Sequence, residues 1–293
     1  MKYMKYLLVF LIPAALGIYL GFGRGSSPKS AGGYVETPDI PDVVQEQDVQ
    51  GESTNVSKST FSELRDLMKG TKGTYSLYIK DLQTNVVNDY NSDLFYNTAS
   101  VFKIYMAVSV MKNIEQKNIN MDFYYKITSA DYEGGTGVLQ YESVGSRYKV
   151  SELLDLAMRK SDNVAQNILI RAIGKNYIND DTFSIDNDSS ARKIGVFLEN
   201  FYENKYITKE SRDYLLALME ETDFDDRINL GLSSGTTFAH KIGNWPNLNS
   251  WHDCGIATKG SKSAVVCLLS KNTSYNDYLV IAKHVGQYTD SSL

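Results

Sequence analysis

The sequence predicts an α/β fold with an additional all-α part, in which an antiparallel β-sheet flanked by helices carries an inserted helical domain. The first observation is strand-like alternation at both ends of the folded part, at 74–90 and 238–270. The second is helical periodicity through the middle, from 100 to 221. One sheet must then be assembled from distant segments, with a cleft between it and the helices.

The predicted elements follow one another in a simple order. A short amphipathic helix at 62–69 is followed by a hairpin that joins 74–82 to 86–90. Later helices are predicted at 100–117, 151–160, 163–173, 191–202, 209–221 and 275–286. Later strands are predicted at 238–243, 249–258 and 264–270. We expect one domain over 59–293, with its α/β part at 59–98 and 208–293 and its helical part at 99–207.

The composition is that of an ordinary globular protein. The chain has 293 residues, of which 42% are hydrophobic and 22% charged, and its formal net charge is -5. This length and hydrophobic content are enough for a sizeable core. The acidic balance argues against a nucleic-acid partner, which would favour a basic face.

The N-terminal segment is expected to direct export. In residues 1–22, Lys2 and Lys5 precede an apolar run from Tyr6 to Phe22. A cleaved signal peptide and an uncleaved membrane anchor both remain open, and we favour the anchor. Its lysines would place the rest of the chain on the extracellular face of the membrane. Residues 23–58, rich in Gly, Ser, Pro, Thr and acidic residues, are predicted to form a disordered linker.

The two cysteines lie in the last two predicted strands. If Gly260 and Ser261 form the turn, Cys254 faces Cys267 on a non-hydrogen-bonded pair, where the strands approach closely. A disulfide in an oxidising exterior and two packed free thiols both remain open.

A Ser-x-x-Lys motif at Ser100 is the first candidate for chemistry. The motif occurs five times, but only Ser100 stands at the first turn of an apolar and therefore buried helix. Ser100 and Lys103 share one face of that helix. Because burial lowers the pKa of a lysine, Lys103 is suited to act as general base for a serine nucleophile. The plain alternative is a helix-capping serine and a lysine that extends to solvent.

Two further motifs are weak when taken singly. Ser161-Asp162-Asn163 lies at the break between two predicted helices, where a plain helix cap is the favoured explanation of this motif alone. His240-Lys241-Ile242-Gly243 lies on a predicted strand, where the glycine lets a ligand approach the backbone.

The three motifs in this order resemble the signature set of class A β-lactamases and penicillin-binding proteins. The segments 134–141 and 150–167 are similar to the central helical block of that family, and Asp253-Cys254-Gly255-Ile256 is similar to its next strand. The resemblance runs from about Phe61 to the C-terminus.

The resemblance implies a role for each motif residue. Ser100 would attack a lactam or peptidyl carbonyl, Lys103 would take its proton, and Ser161 would relay a proton to the leaving nitrogen. Asn163 would hydrogen-bond the amide side chain of the substrate. Lys241 would attract its anionic group and support Ser161, and Gly243 would let the substrate lie close to the backbone. The backbone amides of Ser100 and Asn244 would form the oxyanion hole.

No metal or other cofactor is expected. The chain's histidines are too scattered to suggest a metal, and we interpret them as structural or surface residues: His240, His252 and His284. The expected partners are a β-lactam or peptidoglycan-peptide-like small molecule and, through the N-terminal segment, a membrane. We expect a monomer.

Two departures from the family pattern put turnover in doubt. The segment from Ile173 to Ala191 contains no glutamate to activate a deacylating water. One of its aspartates, at 180, 181, 186 or 188, could substitute for the glutamate, but we favour the alternative that they cap and solvate the loop. Ile242 replaces the usual hydroxyl residue that binds the substrate carboxylate.

Three hypotheses therefore stay open. The first, which we favour, is a serine acyl hydrolase that is acylated at Ser100 and deacylates slowly. The second is a penicillin-binding-like cell-wall peptidase. The third is a non-catalytic surface protein that keeps the fold for binding.

Overall fold

A five-stranded antiparallel sheet forms the centre of the fold, and its strands lie in the order 87–90, 74–81, 262–271, 250–259 and 236–245. The computed structural model describes residues 60–178, 180–184 and 186–293, which belong to one compact unit. The expectations for 1–22 and 23–58 lie outside these residues. Within the described ranges, no helix is both long and apolar enough to cross a bilayer.

The elements agree closely with the predicted order. The strands are β1 (Thr74–Asp81), β2 (Val87–Tyr90), β3 (Phe95–Asn97), β4 (Tyr124–Lys126), β5 (Arg147–Lys149), β6 (Asp188–Ser190), β7 (Thr236–Trp245), β8 (Ser250–Lys259) and β9 (Lys262–Lys271). The helices are α1 (Phe61–Gly70), α2 (Phe102–Glu115), α3 (Val150–Arg159), α4 (Asn163–Ile173), α5 (Ala191–Tyr202), α6 (Lys209–Glu220) and α7 (Tyr275–Ser292). The predicted fold class is confirmed.

The central strands are buried on both faces. In β9, Val265 and Leu269 belong to the core shared with the helical part, whereas Val266 and Leu268 belong to a second core. Helices α1 and α7 complete that second core together with residues of β1, β7 and β8. Successive strand side chains point to opposite faces, so a strand covered on both sides is a nearly continuous apolar run.

Helix α5 packs very close to the sheet on the other face. A Cβ at Gly195 would lie 2.2 Å from the ring of Tyr78 on β1, so only glycine allows this approach. The helical part is thereby held against the sheet beside the segment that precedes Ser100.

Three differences from the predicted elements have simple causes. The helix that begins at Ser100 opens with a 3₁₀ turn over Ala99–Val101. The last helix runs to Ser292 rather than ending at Gly286. Gly286 is there to let a neighbouring backbone approach rather than to end the helix, because a Cβ added at this position would lie 2.1 Å from Ile228 O. The pairs β3–β6 and β4–β5 were not predicted, since strands of three residues carry too little periodicity.

The cysteine alternative is settled in favour of a disulfide. Cys254 on β8 lies directly opposite Cys267 on β9, and the two are bonded. Lys259 pairs with Lys262 across the Gly260-Ser261 turn, as the sequence predicts.

Removing this disulfide is expected to destabilise the fold without abolishing it. The bridge spans 13 residues, and closing a loop of this size in the unfolded chain is worth about 3 kcal/mol. Urea unfolding of the Cys254→Ala/Cys267→Ala variant should show that loss, with the wild type in reductant as the matched comparison. Equal unfolding midpoints with and without reductant would contradict the bonded state.

Candidate active site

Ser100 is presented by a strained turn at the start of α2. Ala99 has a φ of +48°, in the left-handed region that non-glycine residues rarely occupy. Two hydrogen bonds hold it there: Ala99 N donates to Asn97 Oδ1 at 3.2 Å, and Asn187 Nδ2 donates to Ala99 O at 2.8 Å. Backbone strain that the surroundings enforce is a common feature of functional sites.

The amine of Lys103 is the centre of the site. Its side chain is fully buried, and Nζ donates to Ser100 Oγ at 2.8 Å, to Asn163 Oδ1 at 2.8 Å and to Ser161 Oγ at 3.4 Å. The structure thus brings together four of the residues predicted from two separate motifs.

Asp162 explains how the second motif reaches Lys103. Its carboxylate caps α4 by accepting from Ala165 N at 2.9 Å, as the plain alternative required. It also accepts from Val138 N at 2.6 Å and Leu139 N at 2.8 Å, and so fixes the neighbouring loop. Ser161 takes a φ of +54°. The cap therefore serves the site, because it holds Ser161 and Asn163 on either side of a buried carboxylate.

Burial lowers the pKa of Lys103 to about 8, although the negative charges of Glu133 and Asp162 oppose the shift. A lysine with this pKa is partly neutral near neutral pH. It can then accept a proton from the hydroxyl to which it is hydrogen-bonded.

Lys241, which is expected to support Ser161, lies on the predicted strand without a hydrogen bond to that residue. It is fully buried on β7, and its Nζ has no hydrogen-bond partner among the described residues, Ser161 included. Its Nζ lies over the ring of Phe224, 5.7 Å from the ring centroid. Burial, together with the positive charges of Lys103 and Arg227, lowers its pKa well below the ordinary value.

Gly243 brings strand β7 against the turn that carries Ser100. A Cβ at this position would lie 2.4 Å from Thr98 O, so a larger residue would push the strand away. Asn244, the next residue, lines the same cavity as Ser100. The two backbone amides assigned to an oxyanion hole therefore belong to elements in direct contact.

Arg227 is a buried residue that the sequence did not reveal. Its guanidinium donates to His252 O at 2.6 Å and to Asn244 Oδ1. These bonds tie Arg227 to β7 and β8. They also place its positive charge near Lys241, in addition to the charge of Lys103. A single arginine in a predicted loop gave no signal, because its partners are contributed by β7 and β8.

The cavity above Ser100 has a volume of about 570 Å³ and is lined mainly by polar residues. Glu133 contributes the only carboxylate among its described lining residues. One oxygen of that carboxylate accepts from Asn167 Nδ2 at 2.9 Å. Glu133 could not be predicted as a site residue, because it lies outside the segment from Ile173 to Ala191, where the family pattern places a carboxylate.

None of the four aspartates considered as substitutes for the missing glutamate lines this cavity. Asp180 accepts from Thr182 N at 2.8 Å and from the hydroxyl of Tyr206. Asp181 forms an exposed ion pair with Lys193 at 3.1 Å. These carboxylates organise the loop and its contacts rather than the space around Ser100.

Two of the histidines stabilise the sheet beneath the site. Burial opposes the charged form of His240, but the carboxylates of Asp253 and Asp225 outweigh it and raise its pKa. Burial lowers the pKa of His252 to about 4, so this ring is neutral and donates through Nε2 to Asn97 O at 3.0 Å. Across the described ranges, no group of His, Cys, Asp or Glu side chains is arranged to hold a metal ion.

Comparison with known proteins identifies the family. A sequence profile of the β-lactamase enzyme family matches residues 59–288. The chain belongs to this family.

Individual relatives are distant in sequence. The chain is 26% identical to a β-lactamase of Bacillus licheniformis, over 76% of this chain and 80% of that protein. It is also 26% identical to the β-lactamase ROB-1 of Haemophilus influenzae, but that match spans 41% of this chain and only 39% of the relative's length.

Solved structures agree on the fold. PBP-A superposes with a TM-score of 0.72 at 20% identity, over 79% of this chain and 94% of that one. A PBP-A mutant, solved as its acyl-enzyme complex with penicillin G, gives a TM-score of 0.71 at 22% identity, over 79% and 95% of the two chains.

Neutralising Glu133 is expected to change the pH dependence of acylation at Ser100. In the wild type, the rate should rise as pH increases through about 8, because only neutral Lys103 accepts the serine proton. The negative charge of Glu133 raises the pKa of Lys103, so Glu133→Gln should move the inflection to lower pH. Stopped-flow acylation rates across pH measure this.

The matched control is Glu210→Gln, which removes a carboxylate from the exposed first turn of α6. Its pH profile should coincide with that of the wild type. An inflection that stays in place in Glu133→Gln would mean that Glu133 is not electrostatically coupled to the base.

Proposed function

We propose that this chain is a serine acyl-enzyme, acylated at Ser100 by β-lactams or related amides and esters, with slow deacylation. The observation that carries the proposal is the 2.8 Å hydrogen bond between Ser100 Oγ and the buried amine of Lys103. The lowered pKa of that amine supports its role as general base.

In the proposed acylation, neutral Lys103 takes the hydroxyl proton while Ser100 Oγ bonds to the substrate carbonyl carbon. The backbone amides of Ser100 and Asn244 donate to the developing oxyanion. Ser161 then passes a proton to the leaving nitrogen as the amide bond breaks, and Lys103 Nζ, 3.4 Å from Ser161 Oγ, replaces that proton. The result is an ester on Ser100 and an amine in the product.

Asn163 and β7 are proposed to hold the substrate. Asn163 Nδ2 donates to Gly134 O at 3.0 Å, which fixes the amide against the cavity wall. Arg227 supplies buried positive charge under β7, and Lys241 adds to it only in its protonated form; we assign to these two residues the attraction of an anionic substrate.

Slow deacylation follows from the placement of the carboxylates. Hydrolysis of the ester needs a base that activates water beside Ser100. The loop aspartates do not line the cavity, and Glu133 is partnered by Asn167 at its wall. We therefore propose that the acyl-enzyme persists.

The penicillin-binding-like peptidase is the second candidate, because Ser100 in the same arrangement would also be acylated by cell-wall peptides. The fold similarity to a PBP-A mutant captured as an acyl-enzyme with penicillin G favours it. Either activity would be exercised outside the cell, through the export or anchoring proposed for residues 1–22. An intact Ser100–Lys103 pair argues against the non-catalytic alternative.

The test is an intact-mass time course of the chain with excess benzylpenicillin. We expect an adduct of one penicillin that persists after the free drug is removed, and that is absent from Ser100→Ala. Ser146→Ala is the matched control, since Ser146 begins another Ser-x-x-Lys sequence but lies outside the cavity.

Other outcomes of this experiment are equally decisive. Hydrolysed drug without a lasting adduct would contradict slow deacylation and require an active base in the cavity. If no adduct forms and no drug is hydrolysed, benzylpenicillin is excluded as a substrate.

A further inference from the structure

A second cavity lies beside the one that contains Ser100, and we call it the aromatic cavity. Its volume is about 450 Å³, within the range of small-molecule sites. Its apolar walls come from α2, α4 and the segment that follows α4, and they comprise Phe102, Tyr105, Ile170, Tyr177 and Phe183. None of its described lining residues carries a charge.

The walls of the aromatic cavity are held in place by their own contacts. The rings of Tyr105 and Tyr177 stack at 5.8 Å, and the ring of Phe102 meets that of Phe183 edge-on at 5.5 Å. The hydroxyl of Tyr105 donates to Ile178 O at 2.9 Å, so its polar end is already satisfied. The walls are therefore formed before any ligand arrives.

The aromatic cavity adjoins the space above Ser100. Gln166 and Asn187 line both cavities. Asn187 also donates to Ala99 O at 2.8 Å, which places it against the turn that presents Ser100. These two amide side chains therefore stand between a substrate bound at Ser100 and the aromatic cavity.

We propose that the aromatic cavity receives an uncharged aryl or alkyl side chain from the acyl part of the substrate. This inference rests on the proposed acylation at Ser100 and names the substrate class that it prefers. Transfer of an apolar group from water into such a space is favourable, whereas a charged side chain would lose its hydration without gaining a partner.

A third cavity on the other side of Ser100 provides the internal comparison. It shares Asn97, Trp245 and Asn247 with the Ser100 cavity and exposes Phe95 and Leu248. Its lining also includes Lys271, so it is not free of charge. It is the competing location for a substrate side chain.

The experiment compares acylation rate constants for penicillins that differ only in the side chain. The chosen probes carry an acetyl, a phenylacetyl or an α-carboxyphenylacetyl group. We expect the phenylacetyl compound to acylate the wild-type chain on the order of 10-fold faster than the acetyl compound. The added carboxylate should remove that advantage.

Ile170→Trp, which fills the aromatic cavity, and Phe183→Ala, which removes part of its wall, test the location. Both should lose the preference for phenylacetyl while acylation by the acetyl compound stays within about twofold. Phe95→Ala is the matched control in the third cavity and should keep the preference.

The outcomes separate this inference from the function on which it rests. No acylation by any of the three penicillins would overturn both. Acylation without a side-chain preference, or a preference lost in Phe95→Ala but kept in Ile170→Trp and Phe183→Ala, would overturn the aromatic cavity alone.

Discussion

The burial of one amine, that of Lys103, is the constraint on which the site depends. A charged amine inside a protein is costly unless it is paired, and within the described residues no carboxylate forms an ion pair with it. Its partners are three neutral side-chain oxygens, from Ser100, Ser161 and Asn163. These oxygens can accept hydrogen bonds from the charged amine, but they favour its neutral form more than water does. A general base needs to reach both forms near neutral pH.

The surrounding fold maintains this arrangement. Helix α2 carries Lys103 inside an apolar core, and the Asp162 cap brings the start of α4 to it. Strand β7 closes the other side, where Gly243 lets it pack against Thr98. The same arrangement supplies a base for the serine, and among the described lining residues of the cavity only Glu133 carries a carboxylate.

The sequence predicted most of the fold, because its signals are local. Helices α4 and α5 have the predicted bounds, since Asp162 and Ser190 cap them. Asn187, Glu133 and Arg227 could not be placed, because each acquires its contacts from segments far away in the chain. That Lys241 Nζ lacks a hydrogen-bond partner among the described residues could not be predicted either, because it depends on how deeply β7 is buried rather than on the motif.

The most direct test of the account is the pKa of Lys103 itself. It can be measured by following the ¹³Cε chemical shift of selectively labelled lysine through a pH titration, with Lys103→Arg to assign the signal. We predict an inflection near 8, the value that burial imposes on this amine. An inflection at the ordinary value for an exposed lysine, about 10.4, would show that the amine is charged at neutral pH and would contradict its role as the base.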